Sequence, residues 1–319
     1  MYLSYSGWKV YRDCPRSYMF RYITKPLLPL PDNKVGALYG IVVGTLFENF
    51  YKQQLWKLAD PAGALLESAE ALLLETIERE RESAAKEAVK IGADPAVWRE
   101  AAVRWKPPPG QKKVDYNSAE AVMVDIRRAI PNGVEIIRQH GFIAPKVGSE
   151  VVLDADFGPH RLVGRADFIL RRPAPLNDLL ITDGKGSRHR ERYTDVNQLH
   201  WYSMLFRRHT KRLPDKVCFI FWRSEPSDAV LWHSVTQDEV NQLRIDVLAD
   251  VDAIETGKVR TAVATPARKL DVVQEHFPVK PGFGCRLCSF VPVCETGRVM
   301  TSKKTDDDST PLGVEDVGL

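Results

Sequence analysis

From Gly164 to Tyr202 the chain carries GRADFIL (164–170), LLITDGKGS (179–187) and QLHWY (198–202). The first two runs read as strands, in which side chains two apart share a face. Asp167 then shares a face with Val163 and Ile169, and Leu179, Ile181, Asp183 and Lys185 project together from the second strand. Gln198 and Tyr202 lie four apart in a helix-like run and face one way. Two acidic strand ends beside a lysine are the groups that metal-assisted phosphodiester hydrolysis needs. Carboxylates hold a hard cation through oxygen, and the cation lowers the pKa of a bound water. The lysine orients that water or offsets charge growing on phosphate. An Asp and a Lys two apart occur by chance in most proteins. Behind GRAD and ahead of QLHWY, the pair is a specific signal.

GRAD, DGK and QLHWY, in this order and rough spacing, resemble the PD-(D/E)xK nuclease superfamily, in particular its RecB-like exonuclease branch. The likeness is to members with an iron–sulfur cluster, the AddB nuclease domain and the CRISPR-associated exonuclease of spacer acquisition. It runs from Cys14 to Cys294, with an unmatched segment between about Lys57 and Val147. It implies an α/β fold: a restriction-endonuclease-like core with a mixed central sheet flanked by helices, a helical insertion, and a cysteine-bound cluster joining the termini. It also implies roles. Glu48, Asp167 and Asp183 would hold one or two Mg²⁺ or Mn²⁺ ions with the carbonyl of Gly184, and Lys185 would position the attacking water. Gln198 and Tyr202 would line the site and contact the DNA backbone. Glu48 lies in GTLFENF (44–50), which resembles the helical motif where RecB-like nucleases carry a histidine ligand. A glutamate there departs from the branch and matches other superfamily members; its oxygen suits Mg²⁺, whereas histidine would favour Mn²⁺. The alternative is a solvated residue on an amphipathic helix. Glu150, at the start of the first strand, resembles an acidic position of relatives and is a secondary site candidate.

Composition sets the frame. The 319 residues are 44% apolar and 27% charged, ordinary for one large or two modest globular domains. A formal charge of +3 is compatible with nucleic acid but too mild to argue for it. MYLSYSGWKVYRDC has no basic segment followed by an apolar run, and no stretch reaches the length of a membrane span. The expectation is a cytoplasmic protein without membrane contact. Five cysteines, an odd number, argue for reduced thiols over a disulfide framework. Cys285, Cys288 and Cys294 in CRLCSFVPVC offer three thiolates in one loop, one ligand short of a closed metal site, and Cys14 is the obvious fourth. Four thiolates serve an iron–sulfur cluster and also zinc. Zinc sites are more often two close pairs, and this chain has one pair and two singles. The resemblance adds one cysteine before the core and three after it, so a structural 4Fe-4S cluster is expected, with zinc as competitor. Cys218, at an apolar position in VCFIFW, reads as packing.

The expected organisation is a cluster-ligand segment with the first core helix (1–59), a helical insertion (60–147), the nuclease core (148–260), a cysteine segment (261–299) and a disordered polar tail (300–319). Residues 2–22 read as a loop and a helix, with Pro15 just inside the helix start. Strands at 150–156, 161–171 and 179–183 form a meander. A helix near 194–208 follows, then strands at 216–222 and 229–235 and a helix over 238–255. In the insertion, Arg99, Arg104, Lys106, Lys112 and Lys113 with Trp98 and Trp105 fit a nucleic-acid track or, the favoured reading, a solvated helical face and polar loop. GKGS lacks the upstream glycine of a Walker A loop. His189, His200 and His209 lack ligand spacing and are expected at the surface or facing DNA, and no acyl-transfer signature is present. The expected function is a metal-dependent DNA exonuclease acting on single-stranded ends in recombination, repair or replication, with a helicase, integrase or recombinase as partner. The rivals are a CRISPR adaptation nuclease trimming spacers with an integrase, and a DNA-binding module without catalysis. The intact acid–acid–lysine set argues against the latter.

Overall fold

A computed structural model describes residues 1–302 except 27, 29, 107–115, 144–146, 188–189, 191–193, 283 and 286–287. Lys112, Lys113, His189 and the tail from 303 lie outside the described residues. The chain divides into two compact units, one of residues 30–155 with 164–243, the other of residues 1–29 with 156–163 and the chain from Arg244.

In the larger unit, apolar residues at helical spacing bury one face of α3 (Val35–Lys52): Leu38, Val42, Leu46 and Phe50 are almost fully covered. α4 (Pro61–Ile91) starts where Asp60 accepts from Gly63 N and Pro61 occupies the first turn, and it stops at Gly92 with φ 72°. α5 (Pro95–Ala102) and α6 (Ala119–Gln139) are likewise capped, by Asp94 and Ser118. Residues of α4 and α6 share one core with α3, together with Phe168, Leu170, Leu180 and Ile220 from strands. Each such side chain taken from water stabilises the fold by about 1.5–3 kcal/mol. The tryptophans weighed as stacking platforms obey the same drive. Trp98 is buried against Ala84, Ala88 and Ala102, Trp105 packs on the main core, and Arg99 is ion-paired with Glu78. The nucleic-acid track drawn through them is therefore not supported.

The strands of this unit are the part of β2 (Val147–Phe157) up to Ala155, the part of β3 (His160–Arg171) from Gly164, β4 (Leu179–Lys185), β5 (Lys216–Phe221) and β6 (Val230–His233). β2 pairs with β3. β3 and β4 are antiparallel, with Ile169 opposite Ile181, and β5 and β6 are antiparallel. β4 and β5 run parallel, with Asp183 opposite Phe219, because α7 (Val196–Thr210) makes the crossover between them. The result is the expected mixed sheet flanked by helices, in helix–three strands–helix–strand order, consistent with a restriction-endonuclease-like fold.

The smaller unit holds β1 (Tyr2–Ser4), α1 (Tyr5–Asp13), α2 (Pro15–Tyr18), the part of α8 (Gln237–Val263) from Arg244, α9 (Lys269–His276) and α10 (Glu295–Ser302). β1 replaces the expected loop. It runs parallel to the opening residues of β3, Leu3 opposite Leu162, and three residues are too few to show a period. Long-range hydrogen bonds tie the start of this unit to its end: Trp8 Nε1 to Asp250 Oδ2 at 2.8 Å, Arg16 Nε to Phe277 O at 2.9 Å and Lys280 Nζ to Arg12 O at 2.8 Å. Among the described residues no helix is long and apolar enough to cross a membrane.

Candidate active site

Strand alternation on β4 and one helical turn on α7 converge on a single polar network. Asp183 is 3% exposed. Lys185 Nζ lies 2.6 Å from Asp183 Oδ2 and donates to Gln198 Oε1 at 2.7 Å. Gln198 Nε2 donates to Asp183 Oδ1 at 2.8 Å and to the Tyr202 oxygen at 2.9 Å, and the Tyr202 hydroxyl donates to Asp183 Oδ1 at 3.5 Å. The ammonium of Lys185 also sits 5.0 Å from the centroid of the Phe219 ring. Asp167, one residue before the Phe168–Thr182 pair, accepts from Gly184 N at 2.7 Å. Two glycines make room. A Cβ on Gly164 would meet the Tyr202 ring at 3.0 Å, and one on Gly184 would meet Trp222 Nε1 at 2.6 Å.

The electrostatics are those of crowded acids. Burial raises the pKa of Asp167 well above the ordinary carboxylate range; the charge of Asp183 adds to the rise and the Gly184 N–H opposes it. Burial also raises Asp183, against the pull of Lys185. Glu150 is raised by burial and, further, by the charges of Glu48 and Asp183, with Arg165 and Lys52 opposing. Glu48, Glu150, Asp167 and Asp183 therefore share one electrostatic neighbourhood. Three of them have cationic partners: Glu48 pairs with Lys52, Glu150 with Arg165 at 2.6 Å, and Asp183 with Lys185. Burial raises the pKa of the Tyr202 hydroxyl and Asp183 raises it further, so it keeps its proton and serves as a donor. Glu150 has φ 51°, a left-handed conformation that a non-glycine residue rarely holds inside a strand.

The structure thus brings together Asp167, Asp183, Lys185, Gln198 and Tyr202, and places Glu150 within charge range of the two aspartates and Glu48 within charge range of Glu150. Gly184 contributes its N–H to Asp167. Sequence reading overlooked Arg165, Lys52 and Trp222. Lys52 was legible as the residue one turn after Glu48; Arg165 reaches Glu150 on another strand, which no local spacing shows. His200, expected at the surface or facing DNA, is 6% exposed, because α7 is buried continuously from Leu199 to Phe206. His209 is exposed.

Comparison with known proteins agrees with this arrangement. A family model described as the PD-(D/E)XK nuclease superfamily matches residues 2–295. The chain belongs to the PD-(D/E)XK nuclease superfamily. Membership makes it a nuclease with DNA as the implied substrate, and such nucleases usually use Mg²⁺ or Mn²⁺. No curated protein matches the chain. A solved structure titled "Crystal structure of SSO0001" is similar at 17% identity and a TM-score of 0.30, over 56% of this chain and 71% of that one. At that score the likeness carries no argument.

In the smaller unit of this PD-(D/E)XK nuclease, Cys14, Cys285, Cys288 and Cys294 line one pocket with Arg16 and Phe290. All four are free and partly exposed. Gly297 N donates to Cys294 Sγ at 3.4 Å, and burial lowers the pKa of the Arg16 guanidinium in the same pocket. Cys218 is fully buried, and burial pushes its thiol up, as packing requires. Among the described residues no group of three or more His, Cys, Asp or Glu is set to hold a metal ion. The donor chemistry still separates the two places. Neighbouring carboxylates suit a hard, oxygen-seeking cation, and four cysteines lining one pocket beside a guanidinium suit iron–sulfur or zinc.

Proposed function

We propose that this nuclease is a metal-dependent DNA exonuclease of the RecB-like type, acting in the cytoplasm on single-stranded ends during recombination, repair or replication. The observation that carries the reading is the Asp183–Lys185–Gln198–Tyr202 network beside Asp167. Glu48, Asp167 and Asp183 would hold Mg²⁺ or Mn²⁺, with Glu150 in charge range and the Gly184 carbonyl as a further oxygen. The ion when bound supplies Lewis acidity and a water of lowered pKa. The chain's own residues do the rest. Lys185 orients the attacking water and offsets charge developing on the phosphate. Gln198 holds the lysine through its oxygen and Asp183 through its nitrogen, so one amide fixes the distance between base-side and acid-side groups. Tyr202 keeps its proton and donates to a carboxylate or to the DNA backbone. Cleavage would leave a 5′-phosphate, as the resemblance implies.

The four-cysteine pocket is proposed to hold a 4Fe-4S cluster with a structural role, zinc being the alternative. The half-buried Arg16 would offset the negative charge that four thiolates bring. The test is cleavage of an end-labelled single-stranded oligonucleotide in Mg²⁺ by the wild type and by Asp183→Asn, with metal analysis of anaerobically purified protein. Wild-type cleavage by Asp183→Asn would sink the catalytic assignment. Zinc in place of iron would sink the cluster.

A further inference from the structure

A groove of about 650 Å³ opens in the larger unit between α3, β2, β3 and α7. Its walls are the next steps along the elements that carry the candidate site. Lys52 lies one turn beyond Glu48 and Phe206 one turn beyond Tyr202. Ile169 follows Asp167 by two residues on the same strand, and Val151 adjoins Glu150. Four helical residues advance about 6 Å and two strand residues about 6.6 Å. The groove is therefore built on the same elements as the carboxylates, offset from them by about one helical turn or two strand residues.

Its chemistry differs from that of the site. No carboxylate lines it; Lys52, Arg171 and His209 do, over an apolar floor that includes Trp56 and Ile169. α7 then leads from the groove into the exposed run RRHTKR (207–212). Arg207, Arg208 and Arg212 have no acidic partner among the described residues. Asp154 approaches this run, with its Oδ1 3.9 Å from His209 Nε2. Arg171 in the groove and Arg207, Arg208 and Arg212 beside it, next to an apolar floor, suit a ligand with a phosphate backbone on one side and unstacked bases on the other. The volume is that of a cleft for a drug-sized molecule, roughly 300–1,000 Å³. That volume suits one or two nucleotides of a single strand.

We propose that this groove and the 207–212 run form the track for a single strand of DNA on one side of the scissile phosphate. The proposal rests on the carboxylate cluster being the catalytic centre. The test is Arg171→Glu/Arg208→Glu in the full-length chain. Binding of fluorescein-labelled oligothymidylate of twenty residues is read by anisotropy without divalent metal, so that no strand is cut. The affinity should fall about tenfold or more, and the slope of log K against log salt should lessen by about 1.4, roughly 0.7 for each phosphate no longer neutralised. The neutral Arg171→Gln/Arg208→Gln pair should lower the affinity by less and lessen the slope by a similar amount, at an unchanged melting temperature. Affinity within twofold of the wild type would overturn the track, as would an equal loss of affinity for a labelled duplex. Binding in this assay needs no turnover. A chain that loses strand affinity in the variant yet never cleaves would support the track and refute only the catalytic reading.

Discussion

Asp183 is 3% exposed, and both its oxygens are held by charged or amide hydrogens from Lys185 and Gln198. The thiols of Cys14, Cys285, Cys288 and Cys294 share a pocket, but the bonds that bring them there belong to neighbours such as Arg16 and Lys280. The carboxylate site is thus wired internally by the chain's own cations. The thiols contribute only weak sulfur interactions, such as Gly297 N to Cys294. The first arrangement is held by hydrogen bonds and an ion pair while its acids repel one another. Under the cluster proposed above, the second would gain a further cross-link from what it binds, beyond the hydrogen bonds of Trp8, Arg16 and Lys280. The difference teaches that, under the proposed function, the two places should respond oppositely to substitution: one in rate, the other in stability.

The largest effect that would break this contrast lies in the acid site. Asp183→Asn or Lys185→Ala should lower the cleavage rate by on the order of a thousandfold or more, because the groups acting on water and phosphate are removed. The melting temperature should move by only a few degrees. A comparable rate in either variant, measured on labelled single-stranded DNA, would remove the catalytic half of the comparison. Next, Cys14→Ala and Cys285→Ala should each destabilise the chain by about 4 kcal/mol, since metal binding energy is folding energy. The double variant should be little worse than either, because both remove the same staple. Cys218→Ala is the control, at about 1 kcal/mol with unchanged metal content. A fully iron-loaded Cys14→Ala protein with a normal melting curve would end the four-cysteine assignment.

A smaller effect sharpens the metal question. Glu48→Ala should weaken activity with both ions, and Glu48→His should tilt the preference from Mg²⁺ toward Mn²⁺, read from titrations of rate against each ion. The smallest effect is a stability difference with pH. Asp167 has a folded pKa above its unfolded value, so the folded chain holds that proton more tightly, and stability is lost as pH rises from the ordinary carboxylate range through the raised value. Without metal, Asp167→Asn should therefore melt above the wild type at neutral pH. The gap should close as pH falls toward about 4, the unfolded value. A gap independent of pH would show that carboxylate repulsion is not what the variant relieves.

Much of the fold was legible because the decisive elements are regular. The meander at β2 to β4, the α7 crossover and Pro15 at the start of α2 all follow from periods of two or 3.6 and from proline geometry. The misses were of another kind. β1 is three residues long and exists only because the opening of β3 pairs with it. Trp98 sits in a polar, helical stretch, and its burial depends on alanines of a helix that ends before it begins. Glu150 carries a left-handed backbone and an Arg165 partner from another strand.

The sequence by itself determined the juxtapositions that backbone geometry enforces: Asp183 with Lys185 two along a strand, Gln198 with Tyr202 one turn along a helix, Glu48 with Lys52. These hold whatever the rest of the chain does, since side-chain period is local. Only the tertiary structure decided which group meets which across elements. Lys185 finds Gln198 thirteen residues on, and Arg16 reaches the carbonyl of Phe277, 261 residues away. Such pairs are chosen by the packing of whole helices and strands, whose combined burial exceeds any single polar interaction, and no short window of sequence encodes that sum.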